Sequence, residues 1–332
     1  YVSLFEDSIR QYTGARCAVA VSSGTAALHM GLLLAGVGPK DEVITQPLTF
    51  IATANAISYC GALPLFVDVE RATLGLDPEK LEEFLAKSST LKSDGRCYNR
   101  GTGRRIAACV PMHTFGHPAR VDHIAEICGR YGIPLVEDAA EALGSFYRGR
   151  HAGAFGHIGI LSFNGNKPVT TGGGGMIITN DEDVAARAKH LTTTAKKPHP
   201  WEFVHDDIGY NYRMPNINAA VGCAQMEYFD EVLKNKRKTA QMYRDFFETL
   251  GVPFIAEPEH ATSNYWLNAI VLRDAHERGE FLSYAVKKGI QVRPVWELIP
   301  VLPMYGHCQC SSVENAKWLA DRVVNIPSSV RL

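Results

Sequence analysis

Residues Cys17–Gly36 read "CAVAVSSGTAALHMGLLLAG". A run of small apolar residues typical of a buried strand ends at the serine pair, and a helix-length apolar segment begins at Gly24. A Ser/Gly/Thr turn that feeds a helix N-terminus presents unpaired backbone N–H groups and the positive end of the helix dipole. The stretch therefore predicts a strand, a turn suited to a phosphate and a helix, although an ordinary N-cap would use the same residues.

The same alternation of strand and helix continues along the chain. "DEVITQ" is followed by "FIATANAISYCG", "LPLFVDV" by "DPEKLEEFLAK", and "IAACVPM" by "ARVDHIAEICGRYG", after which comes "IPLVEDA". The strands are too uniformly apolar to have a solvated face, which predicts an α/β protein with a mostly parallel sheet covered by helices on both sides. Functional side chains in such sheets collect at the carboxyl ends of the strands.

The pattern changes in the second part of the chain. A long helical pattern begins near Asn216, and the stretches "NYWLNAIVL" and "GIQVRPVW" then alternate with two further helices. We expect a large domain over residues 1–215, and a long linking helix with a smaller α+β domain over residues 216–332. The polar stretch over residues 87–104 predicts a surface excursion.

Composition limits the possible partners. The 332 residues carry 34 Lys+Arg against 35 Asp+Glu, a net charge of −1, so no global field attracts nucleic acid or an anionic membrane. No apolar run approaches the roughly 20 residues of a membrane helix. Eight scattered cysteines are typical of reduced thiols, so we expect a cytoplasmic protein. Because the chain starts at Tyr1 within a predicted helix, we expect an N-terminal segment to be missing.

Two further stretches hold the reactive side chains. In "VEDAAEALGS" Asp138 follows an apolar strand, so its carboxylate should be partly buried, unless it caps the next helix. In "SFNGNKPVTTGGGG" Lys167 sits in a short loop that closes on four glycines, Gly172–Gly175. A desolvated lysine has a lowered pKa and can form an imine, whereas taken alone the stretch would read as a flexible turn.

Taken together, these features fit one cofactor. Pyridoxal phosphate (PLP) needs a lysine for a Schiff base, an acid at the pyridine nitrogen, a phosphate cup and usually an aromatic ring against its face. The candidates, in that order, are Lys167, Asp138, the set Gly24, Thr25, Ala26 and Ser162, and Phe50. Because all these groups occur in one chain, a PLP site is favoured over an ordinary N-cap, a helix-capping aspartate and a flexible turn that are unrelated to one another.

Six stretches, in order over nearly the whole chain, resemble the DegT/DnrJ/EryC1/StrS family of sugar aminotransferases, which are fold-type I PLP enzymes. They are "VSSGTAALHMGLLLAG", "TQPLTFIATANAISYCGALPLFVDV", "EDAAEALGS", "SFNGNKPVTTGGGGMIIT", "IGYNYRMPNINAAVG" and "VNIPSS". The resemblance implies that Lys167 and Asp138 are catalytic, that Phe50 stacks on the ring and that Glu141 lies near the ring hydroxyl. It also places Thr25, Ala26 and Ser162 at the phosphate, with Gly24 and Asn164 beside them.

The resemblance extends to partners and substrate. Asn211 is similar to an asparagine that reaches the other subunit's phosphate, which implies a homodimer with shared active sites. The donor is expected to be an amino acid, glutamate being favoured, and the acceptor a nucleotide-linked 4-keto-6-deoxy sugar used in cell-surface glycan biosynthesis, closest to legionaminic acid-type routes. Candidate contacts to the nucleotide or diphosphate are Lys196, Lys197, His199, Arg213 and Arg293, each of which would also be an ordinary solvated charge.

Other functions compete with this interpretation. Family members with histidine at the lysine position are dehydratases, so Lys167 favours amination. A non-catalytic PLP-binding regulator would need a nucleic-acid-binding module for which the chain has neither length nor charge. A nicotinamide enzyme lacks its Gly-x-Gly-x-x-Gly turn, and "HCQC" over residues 307–310 lacks a second ligand pair, so we expect no metal.

Overall fold

The computed structural model describes residues 1–330. Most of the helices cover the sheet or lead into the C-terminal part of the chain. They are α1 Val2–Thr13, α2 Gly24–Leu34, α3 Ile51–Tyr59, α4 Pro78–Ser88, α5 Val121–Arg130, α6 Glu182–Thr192, α7 Asn216–Glu227, α8 Phe229–Thr249, α9 Ala275–Lys287 and α10 Glu314–Ala320, with 3-10 turns at Thr114–Gly116 and Ile299–Val301.

The strands are short and fall into a large central arrangement and several small ones. They are β1 Cys17–Val21, β2 Glu42–Thr45, β3 Leu63–Phe66, β4 Ser89–Leu91, β5 Cys97–Asn99, β6 Ile106–Val110, β7 Val136–Asp138, β8 Phe146–Tyr147, β9 Arg150–His151, β10 Ile158–Ser162, β11 Gly175–Thr179, β12 Ala261–Thr262, β13 Asn268–Val271, β14 Arg293–Pro294 and β15 Val323–Ile326.

The central strands form the predicted mostly parallel sheet. One group has the order β1-β11-β10-β7 and the other β3-β2-β6, and parallel bridges between Cys109 and Leu135 and between Met112 and Asp138 connect β6 to β7. Within this arrangement β11 runs antiparallel to both of its neighbours, and the other pairs are parallel. The α/β fold is therefore confirmed, and Asp138 ends β7 at the carboxyl edge.

The first strand and helix form as the opening stretch predicts. Ser23 caps α2, because its extended backbone places the side-chain oxygen to accept from the Ala26 N–H at 3.0 Å. A Cβ on Gly175 would lie 2.4 Å from the Ser23 carbonyl oxygen, so only glycine allows β11 to pass this turn. We call Ser22–Gly24 the phosphate turn and residues 163–174, between β10 and β11, the lysine loop.

Two expectations about the remaining segments hold and one needs correction. The polar excursion lies mostly at the surface, as expected, and contains the hairpin of β4 and β5, in which the Asn99 side chain donates to Glu42 at 2.7 Å. The long helical pattern is two helices that break at Tyr228, and α7 packs on α1 so closely that a Cβ on Gly222 would lie 2.7 Å from the Phe5 ring. The helix expected near the C-terminus is present as α10, with seven residues.

The C-terminal part contains its own small sheet, in the order β13-β15-β14, with α9 packed against it. The boundary at residue 215 stays a prediction, since α7 beyond it packs on the first helix. All eight cysteines are free thiols. Across residues 1–330, no helix combines the length and the apolar character needed to cross a membrane.

Candidate active site

Lys167 lies at the end of a tight turn in the lysine loop. The turn closes through a hydrogen bond from the Lys167 N–H to the Asn164 carbonyl at 3.0 Å, and Pro168 follows directly. The lysine side chain is only 11% exposed, and its Nζ lies 3.4 Å from Glu141 Oε1. The prediction of a partly buried lysine with a specific partner thus agrees with the geometry.

An indole ring covers this lysine. The Lys167 Nζ lies 3.7 Å from the ring centroid of Trp266, and the indole Nε1–H donates to the Asn166 carbonyl at 2.8 Å. The ring therefore contacts both the ammonium and the turn that carries it. Because an aromatic face attracts a cation, the contact helps to fix the position of the lysine side chain.

Asp138 is a buried carboxylate fixed by two donors. Its Oδ2 accepts from the Thr53 hydroxyl at 2.7 Å, and its Oδ1 accepts from the Ala140 N–H at 3.2 Å. Burial raises the pKa of Asp138, while these hydrogen bonds and the charge of Lys167 oppose the rise. A protonated ring nitrogen facing the carboxylate would supply the cation that its buried position lacks.

Glu141 is the partner of the lysine. It is 2% exposed, and its second oxygen accepts from the Phe115 N–H at 2.9 Å, at a residue whose φ of 59° is unusual for a side chain of that size. Burial raises the pKa of Glu141 to about 7, against the opposing effect of Lys167. A carboxyl group that is half protonated near neutral pH can either donate to a ring hydroxyl or accept from one.

A buried histidine, His113, helps to fix the backbone of Asp138. The Ala119 N–H donates to His113 Nδ1 at 3.1 Å, so the proton sits on Nε2, which lies 3.0 Å from Glu137 Oε2. Both side chains are fully buried. The His113 N–H also donates to the Asp138 carbonyl at 3.1 Å, so this pair fixes the backbone that carries the acid.

The phosphate turn and Ser162 meet as the sequence predicts. A Cβ on Gly24 would lie 2.9 Å from the Ser162 Cβ, so the glycine lets the serine hydroxyl reach the start of α2. As the first two helical residues, Gly24 and Thr25 have N–H groups without an intrahelical acceptor. The Ala26 N–H donates to the Ser23 hydroxyl at 3.0 Å, as in an ordinary N-cap, so the predicted phosphate contact of Ala26 stays a prediction.

Phe50 and Asn164 have exposed positions. Phe50 precedes α3, three residues before the Thr53 that holds Asp138, and its ring is 49% exposed and 6.1 Å from the Trp296 ring. Asn164 hydrogen-bonds through its side chain to Asn166 at 3.1 Å. Their predicted contacts with a cofactor remain predictions.

A cleft of about 1050 Å³ opens beside the lysine. Its wall combines the lysine loop with the small C-terminal sheet, and Lys167, Trp266 and Arg293 all line it. Of the predicted substrate residues, Arg293 is the one that the described chain brings to the same cleft as the lysine.

The remaining predicted substrate residues lie elsewhere. Residues 195–206 form a hairpin, closed by a bridge between Lys196 and His205, which we call the aromatic hairpin. Lys196 lies over the Phe203 ring at 4.0 Å, and His199 accepts from the Glu202 N–H. Their predicted substrate contacts, like those of the neighbouring Lys197, stay predictions.

Two predicted residues follow the aromatic hairpin. Arg213 pairs through its backbone with Val21, next to the phosphate turn, and Asn211 is an exposed residue that pairs with Thr193. Within one chain neither lines the cleft beside Lys167. The predicted reach of Asn211 to another subunit stays a prediction.

Sequence reasoning missed three residues of the site. The Thr53 hydroxyl donates to Asp138, and the Trp266 ring contacts Lys167. The backbone N–H of His113 donates to the carbonyl of Asp138. Thr53 had a usable signal, since it lies in the first turn of the helix that Phe50 precedes. Trp266 precedes β13 far along the chain, and no local pattern connects it to the lysine.

The donor set fits PLP. This cofactor needs a lysine, an acid and a phosphate site. The structure has a partly buried lysine, a buried acid without a bound cation, and a helix N-terminus next to a serine hydroxyl, where a glycine leaves room. Among residues 1–330 no cluster of three or more His, Cys, Asp or Glu is placed to hold a metal ion. Fold and site together define a PLP-dependent aminotransferase of the fold-type I class.

Comparison with known proteins gives the family. The model of the DegT/DnrJ/EryC1/StrS aminotransferase family matches residues 1–332, and the chain belongs to this family. EpsN of Bacillus subtilis (strain 168), named as a pyridoxal phosphate-dependent aminotransferase, is 37% identical over 92% of this chain and 76% of its own length. GDP-perosamine synthase of Escherichia coli O157:H7 is 36% identical over 99% of this chain and 85% of its own length.

The fold agrees with a solved structure. The crystal structure of the aminotransferase TlmJ from Streptoalloteichus hindustanus matches with a TM-score of 0.88 and 30% identity, over 98% of this chain and 84% of TlmJ. The predictions of family, fold class, cofactor and enzyme class are therefore confirmed. Neither EpsN nor the perosamine synthase has a name that refers to legionaminic acid, so the finer placement stays a prediction.

Proposed function

We propose that this aminotransferase moves an amino group from glutamate to a nucleotide-linked 4-keto-6-deoxy sugar, in the cytoplasm, for cell-surface glycan biosynthesis. The observation that carries the proposal is Lys167, held at 3.7 Å over Trp266 and 3.4 Å from Glu141 in a cleft large enough for a nucleotide sugar. The similarity to a GDP-perosamine synthase supports the sugar acceptor and makes GDP the first nucleotide to test.

Bound PLP supplies a ring that accepts the electron pair released when a proton leaves carbon. The Lys167 Nζ is the base that removes the proton from the α-carbon of the donor and returns one to the acceptor carbon of the sugar. Trp266 and Glu141 set its position on two sides. Asp138 keeps a negative charge at the buried edge, which holds a proton on a nitrogen that faces it.

The amino transfer divides into two half-reactions. Glutamate gives up its nitrogen and leaves as the 2-oxo acid, and the keto sugar then enters the same cleft and accepts the nitrogen. A lysine at this position distinguishes the reaction from the dehydratase alternative, because a base able to act at two carbons in succession suits transamination.

We also propose a homodimer with shared active sites. Apolar side chains that would be costly to leave in water concentrate in one stretch of the chain. They are Trp201, Phe203, Val204, Ile208, Ile217 and Val221. Asn211 lies within this stretch and is the residue expected to reach the other subunit's phosphate.

The substrate test is an assay with glutamate and a panel of GDP-, UDP- and dTDP-linked 4-keto-6-deoxy sugars, with the amino-sugar product measured by mass spectrometry. We expect turnover with one nucleotide series, GDP being favoured. Turnover with none of the panel, by protein that still carries PLP and consumes glutamate, would contradict the proposed acceptor.

The sharing of active sites is tested by mixing two inactive variants, Asn211→Ala and Lys167→Ala. A hybrid dimer contains one site with both native residues, so we expect part of the activity to return. A mixture that exchanges subunits, shown by a mass label, and yet stays inactive would argue against shared sites.

A further inference from the structure

A second buried ammonium lies in the wall of the cleft. Lys236, on α8, is 5% exposed, and its Nζ donates to the carbonyls of Trp266 at 3.1 Å and Ser328 at 2.8 Å. Both acceptors are neutral. Burial lowers the pKa of Lys236 to about 8, and no carboxylate among residues 1–330 counters that effect.

A buried ammonium without a counterion is costly, and folded proteins retain such groups mainly where they serve a site. Lysine has three N–H donors, and the two carbonyls take two of them. Lys236 lines the same cleft as Lys167 and Arg293. One donor and an uncompensated positive charge are therefore available to a group that enters the cleft.

Other polar atoms of the same wall also lack partners. Asn325 is 8% exposed, and neither its Oδ1 nor the Nε of Arg278 has a hydrogen-bond partner in the described part of the chain. Both residues line the cleft. An unpaired buried polar atom destabilises the free protein, so this wall favours a polar ligand over an apolar one.

We propose that Lys236 is a substrate-binding residue, whose ammonium binds an oxyanion in the cleft: a carboxylate of the amino-acid donor or the diphosphate of the nucleotide sugar. The inference rests on the proposed function, because both oxyanions belong to the substrates named there. Trp266 separates the two lysines, with its carbonyl on Lys236 and its ring on Lys167. Both lysines line one cleft, so a substrate bound there can approach each of them.

The test compares Lys236→Gln, which keeps an N–H donor for the carbonyls but removes the charge, with Lys236→Arg, which keeps the charge. Binding of two probes to the PLP-loaded protein, glutarate for the donor and GDP for the nucleotide, is measured by calorimetry. We expect Lys236→Gln to weaken one probe at least tenfold, the usual loss for a charged hydrogen bond, and Lys236→Arg to recover most of it. Weaker glutarate assigns the oxyanion to the donor, and weaker GDP assigns it to the diphosphate.

The exposed Lys238 on the same helix provides the matched control, and Lys238→Gln should bind both probes normally. Unchanged binding of both probes by Lys236→Gln, or an equal loss in Lys236→Arg, would overturn the proposal.

A measurement on the wild-type protein does not depend on the folding of any variant. A crystal structure of the PLP-loaded wild-type protein with the effective probe should show an oxyanion of that probe within hydrogen-bond distance of Lys236 Nζ, and a probe bound in the cleft without that contact would also overturn the proposal. The proposed function fails in a different way: wild-type protein would transfer no nitrogen from glutamate to the sugar panel, whatever Lys236→Gln binds.

Discussion

The cofactor region and the aromatic hairpin differ in the exposure of the side chains to which we assign a function: those of the first are buried and those of the second are exposed. Asp138 and Glu141 are each 2% exposed, and several hydrogen bonds from their own chain hold them in place. In the aromatic hairpin, Trp201 and Phe203 are 77% and 81% exposed. The side chains of the first region are held by hydrogen bonds within their own chain, whereas the second region presents apolar surface that one chain leaves in water.

The geometry around Asp138 and Glu141 is thus set within a single chain, whereas the proposed role of the aromatic hairpin depends on assembly with a second chain. Proton transfer requires preorganised, desolvated groups, and a single chain already positions Asp138, Glu141 and Lys167 in this way. An ordered hairpin with exposed aromatic side chains is instead suited to bind another surface. Substitutions in the two regions should therefore change different properties of the protein.

The largest effect is expected at the lysine. Lys167→Ala removes the base that moves the proton, and it should lower amino transfer by about 10³-fold or more. It should also abolish the absorbance band of PLP bound covalently to the lysine, a linkage that borohydride reduces in the wild-type protein. Lys288→Ala, at an exposed lysine beyond α9, is the control and should behave as wild type. Retention of the band and of turnover by Lys167→Ala would refute the assignment.

The buried region should also be sensitive to acid. His151 is fully buried, its Nε2 accepts from the Gly144 N–H, and burial lowers its pKa to about 4. Because the unfolded chain binds a proton near pH 6.5 and the folded chain does not, stability present above pH 6.5 is lost as the pH falls toward 4. Over the range from pH 7 to pH 5 the loss should be about 2 kcal/mol for this residue.

The measurement is the free energy of unfolding by denaturant at the two pH values. His151→Gln should lose about 2 kcal/mol less than wild type between pH 7 and pH 5, because it has no proton to bind. The exposed His276 provides the control, and His276→Gln should follow wild type. His117, whose pKa burial also lowers to about 4, should repeat the result. Parallel losses in wild type and His151→Gln would contradict this account.

The smallest effect is expected in the aromatic hairpin. Trp201→Ala removes an exposed ring from the proposed dimer surface and should raise the dimer dissociation constant roughly tenfold, with the PLP band of the assembled protein unchanged. Sedimentation velocity over a range of concentrations measures the change. Tyr284→Ala, at a residue 63% exposed on α9, is the comparison and should leave the constant unaltered. Equal effects of the two substitutions would remove the hairpin from the interface.

The sequence indicates the candidate cofactor region because the signals of that region are local. A strand that ends in Asp138, a serine turn before α2 and a lysine before four glycines each have a physical reason that a short window contains. Trp266 and Lys236 escaped prediction because their importance depends on contacts between distant segments. The break at Tyr228 was missed because both helices continue the same apolar period.

The lysine loop has both of its ends fixed on the phosphate turn. Ser162, at one end, contacts Gly24, and Gly175, at the other, contacts Ser23, in both cases at distances that admit no additional carbon atom. The Lys167 nitrogen is thus carried by a loop whose two ends both pack against the proposed phosphate site. Loop length limits the reach of this nitrogen from that site, so an inserted or deleted residue in the loop should misplace the nitrogen even where every side chain of the site is retained.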